Sequence, residues 1–377
     1  MLKIGGSVGA ETDAALDAVV ALNDAGHPVV VVHGGGPLVG EWAERLGMET
    51  RFVRGLRVTD TETRDLALAV LGGLANGRVV AMLLGRGVPA VGLTGVDGGM
   101  LRAEREDAEL GFVGRVTLVD SALIEELVDA GRVPVVAPAA LDAVVALTDA
   151  GHPVVVVHGG GPLVGEWAER LGMETRFVRG LRVTDAETRD LALAVLGGLA
   201  NGRVVAMLLG RGVPAVGLTG VDGGMLRAER EDPELGWVGR VTLVDSALIE
   251  ELVDAGRVPV VAPAALDRTS GEVLNVNGDA AAGAIAASLG ARLLVFVTDV
   301  PGVRGKDGRV IERLDAEKAR VLVDDGTIEG GMLPKVEACL IAAAAGCRAA
   351  IVATRGVDSV ERLLAGEQVG TVFEAAA

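Results

Sequence analysis

Two cysteines are all the chain has, Cys339 and Cys347, eight residues apart in an alanine-rich helical stretch. That scarcity argues against a disulfide framework or a cysteine metal site and leaves buried thiols as the expectation. Basic residues are also short: 35 Lys and Arg face 52 Asp and Glu, a net charge of −17. Nonspecific nucleic-acid binding rests on cations that neutralise phosphates, so that class is set aside. A small anionic substrate is not, because a few local cations override the global sign. Long apolar runs are missing too. Mean hydropathy is +0.44, yet the best stretch, from Ala280 to Val297, is broken by Gly283, Ser288, Gly290 and Arg292. It falls short of a membrane span. The opening MLKIGGSVGAETDAALD lacks a basic head before an apolar segment, so no signal peptide is expected and the reading is cytoplasmic. Tyrosine is absent, which by itself excludes no function. There is no GxxxxGK[ST] and no GxGxxG with a following ribose-binding acid, so neither a P-loop nor a Rossmann fingerprint is present.

What the chain does have is a repeat. Leu16–Ala140 recurs as Leu141–Ala265, an offset of 125 residues, with four differences: Asn23/Thr148, Thr61/Ala186, Ala108/Pro233 and Phe112/Trp237. AALD stands at each junction, at Ala14, Ala139 and Ala264. Units this long do not fit short-period solenoids. The pattern is that of an in-frame tandem duplication, and removing one copy leaves 377 − 125 = 252 residues.

Each copy alternates helix and strand. Asp13 to Asp24 reads as a helix stopped by Gly26, and Pro28 to Val32 as a strand buried on both faces. Pro37 opens a helix carrying Leu38, Trp42 and Leu46, and Thr59 to Glu62 (Thr184 to Glu187 in copy 2) reads as a capping box. A strand, a charged hairpin, the helix of SALIEELVDAG and the strand VPVVAP follow. After Asp267 the sequence is single: a hairpin in RTSGEVLNVNGD, a helix from Asp279, the strand LLVFVT, a helix after Gly330-Gly331 and the strand RAAIVA. Strands separated by helices predict an α/β fold with a mainly parallel sheet.

Several short motifs could bind anions, and each also has a purely structural reading. Gly35 and Gly36, with Gly160 and Gly161 in copy 2, lie between a strand and a helix, where backbone N–H groups can meet a ligand or simply make a tight turn. Lys3 precedes Gly5 and Gly6, and Lys335 follows Gly330-Gly331; both could reach phosphate or stay solvated. Arg57 and its copy Arg182 could hold a carboxylate or a surface ion pair. Asn275 and Asp279 lie at a hairpin exit, where an aspartate N-cap is the plain alternative. The segment after Thr298 closes a strand at the edge where α/β folds bind ligands.

Together and in order, LKIGGS, VVHGGG, GLRVT, NVNGD, VTDVPGV and GGMLPKVEA resemble the amino acid kinase family, and within it the branch that phosphorylates N-acetylglutamate in arginine biosynthesis. The resemblance covers the whole chain once one repeat is removed. It implies a three-layer αβα sandwich on one continuous sheet, with ATP and Mg²⁺ used to phosphorylate the substrate's side-chain carboxylate. By resemblance, Lys3 and Lys335 stabilise the transferring group, Asp279 orients both, and Gly5 and Gly6 add N–H donors. Arg57 or Arg182 and Asn275 hold the substrate beside the HGGG turn. Asp299, Val300, Pro301, Gly302, Val303, Arg304, Thr327, Ile328 and Glu329 correspond to the nucleotide pocket. A homodimer without nucleic-acid or membrane partners is implied, and arginine feedback is not expected, since the chain shows no N-terminal helix ahead of Lys3. NVNGD departs from the family's commoner NxNAD, which puts Gly278's effect on Asp279 in question.

The expected division is 1–13 for the first strand, 14–138 and 139–265 for the two substrate-lobe copies, and 266–377 for the nucleotide lobe. Copy 1 follows the Lys3 strand but lacks its own NVNGD hairpin, and copy 2 has the reverse. One copy is therefore expected to be surplus, either extruded with exposed apolar surface or paired with another chain. A carrier-protein-linked kinase of the same family and a non-catalytic binder disabled by the duplication are the alternative readings.

Overall fold

The computed structural model describes residues 2–4, 10–53, 56–105, 108–137, 153–178, 181–298, 300–353, 362–363 and 365–373. Copy 1 builds a parallel sheet in the order Leu2–Ile4, Val31–His33, Val133–Ala137, Ala90–Thr94. Copy 2 repeats it without the N-terminal strand: Val156–Val157, Val258–Ala262, Ala215–Thr219. The valine-rich strands suit burial on both faces. After each Gly-rich turn a ten-residue helix, Gly36–Arg45 or Gly161–Arg170, buries its Val-Trp-Ala face.

The charged hairpin shows what the duplication left unequal. In copy 2, Leu226–Arg230 and Val238–Val244 close into a barrel with the single-copy strands Ala264–Asp267 and Val273–Val276. In copy 1, Leu101–Arg105 and Gly114–Val119 form a two-stranded sheet of their own. Ala228 is fully buried, whereas Ala103 is exposed, and Val116 and Val119 are 50% and 64% exposed. The C-terminal part forms a separate sheet, Leu293–Thr298, Arg348–Ala353, Thr371–Phe373, Arg313–Leu314. The α/β class holds, but among the described residues the strands fall into separate sheets rather than one continuous one.

Copy 1 is not extruded as a whole, although its hairpin leaves exposed the apolar surface expected of a surplus copy. The copies pack on each other through two 24-residue helices, Thr61–Leu84 and Ala186–Leu209. Both are apolar and long enough to cross a membrane, and both are largely buried by protein here. They cross at glycine: a Cβ on Gly73 would lie 2.6 Å from the backbone of Leu193, Ala194 and Gly198, and one on Gly198 would meet Leu68, Ala69 and Gly73 as closely. Ion pairs across the contact come in mirrored sets. Arg78–Asp190 and Arg203–Asp65 are both 2.6 Å, and Arg45–Glu187 (2.7 Å) mirrors Arg170–Glu62 (3.3 Å). The outer strands face each other through buried carboxylates: Asp222 accepts from Gly92 N and Asp97 from Gly217 N, each at 2.7 Å. Each of these contacts maps onto its counterpart under the 125-residue offset, so the interface is isologous within one chain.

The capping box is also corrected. The caps are Asp60 and Asp185, whose carboxylates accept from Thr63 N and Thr188 N at 2.8 Å. Thr59 and Thr184 are committed to backbone bridges with Gly111 and Gly236, and Glu62 and Glu187 reach across to the other copy's arginines.

Candidate active site

The hairpin Ala264–Asp267/Val273–Val276 delivers the chain into a helix, Gly278–Ser288. Asn277 caps that helix, its Oδ1 accepting from Asp279 N (2.9 Å) and Ala280 N (3.0 Å). Asp279 is therefore not the cap, and its carboxylate is free for another partner. That partner is Lys335, in the first turns of Met332–Ala344: Nζ donates to Asp279 Oδ2 at 2.9 Å. The pairing follows from a close helix crossing. A Cβ on Gly283 would lie 2.8–2.9 Å from Ala338 atoms, and one turn towards the N-termini this contact sets Asp279 against Lys335. Both side chains keep about a quarter of their surface exposed (25% and 21%), so the pair opens to a ligand.

The same helix start abuts the Gly-rich turn of copy 2. A Cβ on Gly278 would lie 3.4 Å from His158 O and 3.7 Å from Gly159 Cα, ordinary contact distances. A glycine is not required there, and it leaves Asp279 aimed at Lys335. Within the turn, Gly160 fits under Leu196, where a Cβ would come within 2.5 Å of Cδ2, while Gly159 and Gly161 look onto open space. The Gly161–Arg170 helix has no side-chain cap, so its first N–H groups remain available to an anion. Arg182 closes the far side, donating to Gly161 O (3.0 Å) and Thr175 Oγ1 (3.2 Å) and stacking on Phe177. Asn275 donates to Thr184 Oγ1 at 3.2 Å.

Sequence reading missed what holds this turn. Asn201 Nδ2 shares its two hydrogens among His158 Nε2 (3.1 Å), Leu218 O (3.1 Å) and Val260 O (2.8 Å). Nε2 must then accept, which leaves the proton on Nδ1 to be donated to Gly159 O at 3.0 Å. Burial holds the imidazole below its ordinary range, so the neutral form persists. The available signal was an asparagine inside an apolar helix, GGLANGRVV, repeated 43 residues after each histidine.

Copy 1 repeats the turn with a different set of neighbours. His33, Asn76 and Arg57 make matching bonds, Arg57 donating to Gly36 O and Thr50 Oγ1 at 3.2 Å. A groove of about 880 Å³ runs along Gly36, Gly40, Thr50 and Arg57. Gly35 packs under Leu71 as Gly160 packs under Leu196. Lys3 is here, in the strand opposite Val32, and not beside Asp279. The expected cluster is thus divided: copy 2 has the Asp279–Lys335 pair and copy 1 has Lys3. Gly5, Gly6 and Asp299 lie outside the described residues.

The remaining expected residues form a second region. Val300, Pro301 and Gly302 follow the Leu293–Thr298 strand. Val303 is buried and donates to Thr371 Oγ1 at 2.8 Å, and Arg304 bridges Val310. Thr327 donates to Asp325, which also pairs with Lys306 at 3.1 Å, so the two stretches are tied together. Ile328 is a core residue, and Glu329 O accepts the Met332 N–H that starts Lys335's helix.

The model of the amino acid kinase family matches residues 1–143 and again 137–353. The chain is 43% identical over 235 residues to an acetylglutamate kinase of Dehalococcoides mccartyi, covering 61% of this chain and 86% of that one. It is 48% identical over 228 residues to one of Methanopyrus kandleri, covering 58% and 89%. A solved carbamate kinase of Giardia is more distant, at 16% identity over 77% of this chain and 99% of that one, with a TM-score of 0.46. The chain belongs to the amino acid kinase family and carries part of that family's pattern twice.

Proposed function

We propose that the chain transfers the γ-phosphoryl group of ATP to the side-chain carboxylate of N-acetyl-L-glutamate, in the cytoplasm, as a step of arginine synthesis. The observation that carries this reading is the Lys335–Asp279 pair set against the Gly159–Gly161 turn, with Arg182 on that turn's other side. Joining two anions demands alignment and charge neutralisation more than covalent chemistry. Lys335 offers a cation to the transferring group, and Asp279 fixes where its ammonium points. The start of the Gly161–Arg170 helix, which has no side-chain cap, adds backbone N–H donors. Arg182 and Asn275 take the substrate's own carboxylate and amide. The donor set of one ammonium and open backbone N–H groups fits phosphate oxygens. Among the described residues no three His, Cys, Asp or Glu side chains cluster to hold a metal. Mg²⁺ would therefore be carried by the nucleotide's phosphates and would draw charge from them. The stretches at 300–304 and 327–329 are assigned to the nucleotide. The lobe pairing expected of a homodimer is assigned to the two copies of one chain.

Acyl phosphate trapping with hydroxylamine tests the reading. Arg182→Ala should lower kcat/KM about 10- to 100-fold, the loss of a charged carboxylate contact, and Arg57→Ala should stay within about twofold. Equal losses, or none in either variant, would refute the assignment to copy 2.

A further inference from the structure

Asn201 is 3% exposed within an apolar helix, and burying a primary amide costs free energy unless its hydrogens find acceptors. Two of its acceptors are carbonyls of neighbouring strands, Leu218 O and Val260 O. Holding those strands would be reason enough for an asparagine here. The third acceptor is of another kind: His158 Nε2 belongs to the residue that opens the Gly159–Gly161 turn. The amide has one seat, since a Cβ on Gly217 would collide with Asn201 Oδ1. The ring passes the constraint on, because its Nδ1–H donates to Gly159 O at 3.0 Å. In a planar trans peptide the C=O and the following N–H point in opposite directions, so Gly160 N–H is turned away from the imidazole. Leu196, five residues before Asn201 in a stretch wound as a π-helix, packs beneath Gly160. The wider π turn brings residues five apart towards one face. One helix therefore touches the turn at two points.

We infer that Asn201 is a positioning residue for phosphoryl transfer: through His158, and with Leu196 beneath Gly160, it fixes the peptide planes of the turn set against the Lys335–Asp279 pair. It touches no substrate itself. The inference rests on the proposed reaction and on its assignment to copy 2. The repeat supplies the control. In copy 1, Asn76 makes the same bonds to His33 Nε2 (3.2 Å) and Leu93 O (3.1 Å) and is likewise 3% exposed. The turn it serves has no Asp279–Lys335 pair beside it. A role confined to packing predicts like effects of the two asparagines on activity, whereas a positioning role separates them.

Asn201→Ala and Asn76→Ala should lose similar stability in urea, but only Asn201→Ala should lower kcat, about 10- to 100-fold, the scale of a slightly misplaced group. Its KM for N-acetylglutamate should stay within about threefold, because Arg182 remains in place. His158→Leu leaves both strand carbonyls their donor, so it carries the test even where loss of the buried amide prevents folding. It should lower kcat to the same level, and the Asn201→Ala/His158→Leu double variant should fall no further, since the two act as one unit. His33→Leu should stay active. In protein carrying isotopically labelled histidine, Asn201→Ala should also shift the Nε2 resonance that disappears in His158→Leu. Equal kcat losses in the two asparagine variants, or an unchanged kcat in His158→Leu, would overturn the inference. No acyl phosphate from the unaltered chain would bring down the substrate reading and the role with it, while the imidazole resonance would still report the bond.

Discussion

At the scale of single residues, the site is organised by which polar group is used up locally. Asn277 takes the helix cap, and that leaves Asp279 to Lys335. Replacing Lys335 with methionine should reduce acyl phosphate formation about 100-fold or more, since a cation facing the transferring group contributes mainly in the transition state. Gly278→Ala should leave activity within about twofold and hold or slightly raise stability, because its Cβ would meet neighbours at 3.4 Å or more and alanine suits a helix better than glycine. A large loss of activity in that variant would mean the glycine is needed for ligand approach. Asp279, Lys335 and Arg182 were legible in the sequence as charged residues beside glycines. Asn201 and His158 were not, because their importance lies in a bond to each other across 43 residues and in bonds from Asn201 to backbone 17 and 59 residues away, which no local pattern displays.

Among elements, close backbone approach decides the geometry. Gly283 against Ala338 brings two helices near enough for their first turns to share an ion pair. Gly283→Leu should force them apart, cost about 1–3 kcal/mol as an overpacked contact, and lower kcat as well. Chemical denaturation and the hydroxamate assay would read the two effects; an active, equally stable variant would show that the crossing does not set the pair. Periodicity and turn residues placed most helices and strands correctly, since each is determined within ten or so residues. Cap identity was misread at Thr59 because its competing bridge to Gly111 is a tertiary contact. The continuous sheet was expected for the same reason: pattern names the strands, but their lateral order is set by tertiary pairing.

For the whole molecule, the repeat folds back on itself as a mirrored pair. At its centre Asp97 and Asp222 are pushed up to about 6 by burial, against the pull of their N–H donors. Raised carboxyls bind protons in the native state that the unfolded chain has already released between about pH 4 and 6. Stability should therefore fall as pH rises through that window and level off above it, with the depressed carboxyls of Asp60 and Asp315 acting below it. Urea denaturation across pH 4.5 to 7.5 checks the sign, and the Asp97→Asn/Asp222→Asn double variant should flatten the slope.

The mirrored contact carries one more consequence. Between separate subunits, its occupancy would depend on how much protein is present, and each lobe would stand bare once a solution was thin enough. Here partner and counterpart are joined by one backbone, so the contact survives any dilution, and specific activity should not change when the enzyme is assayed at vanishing concentration.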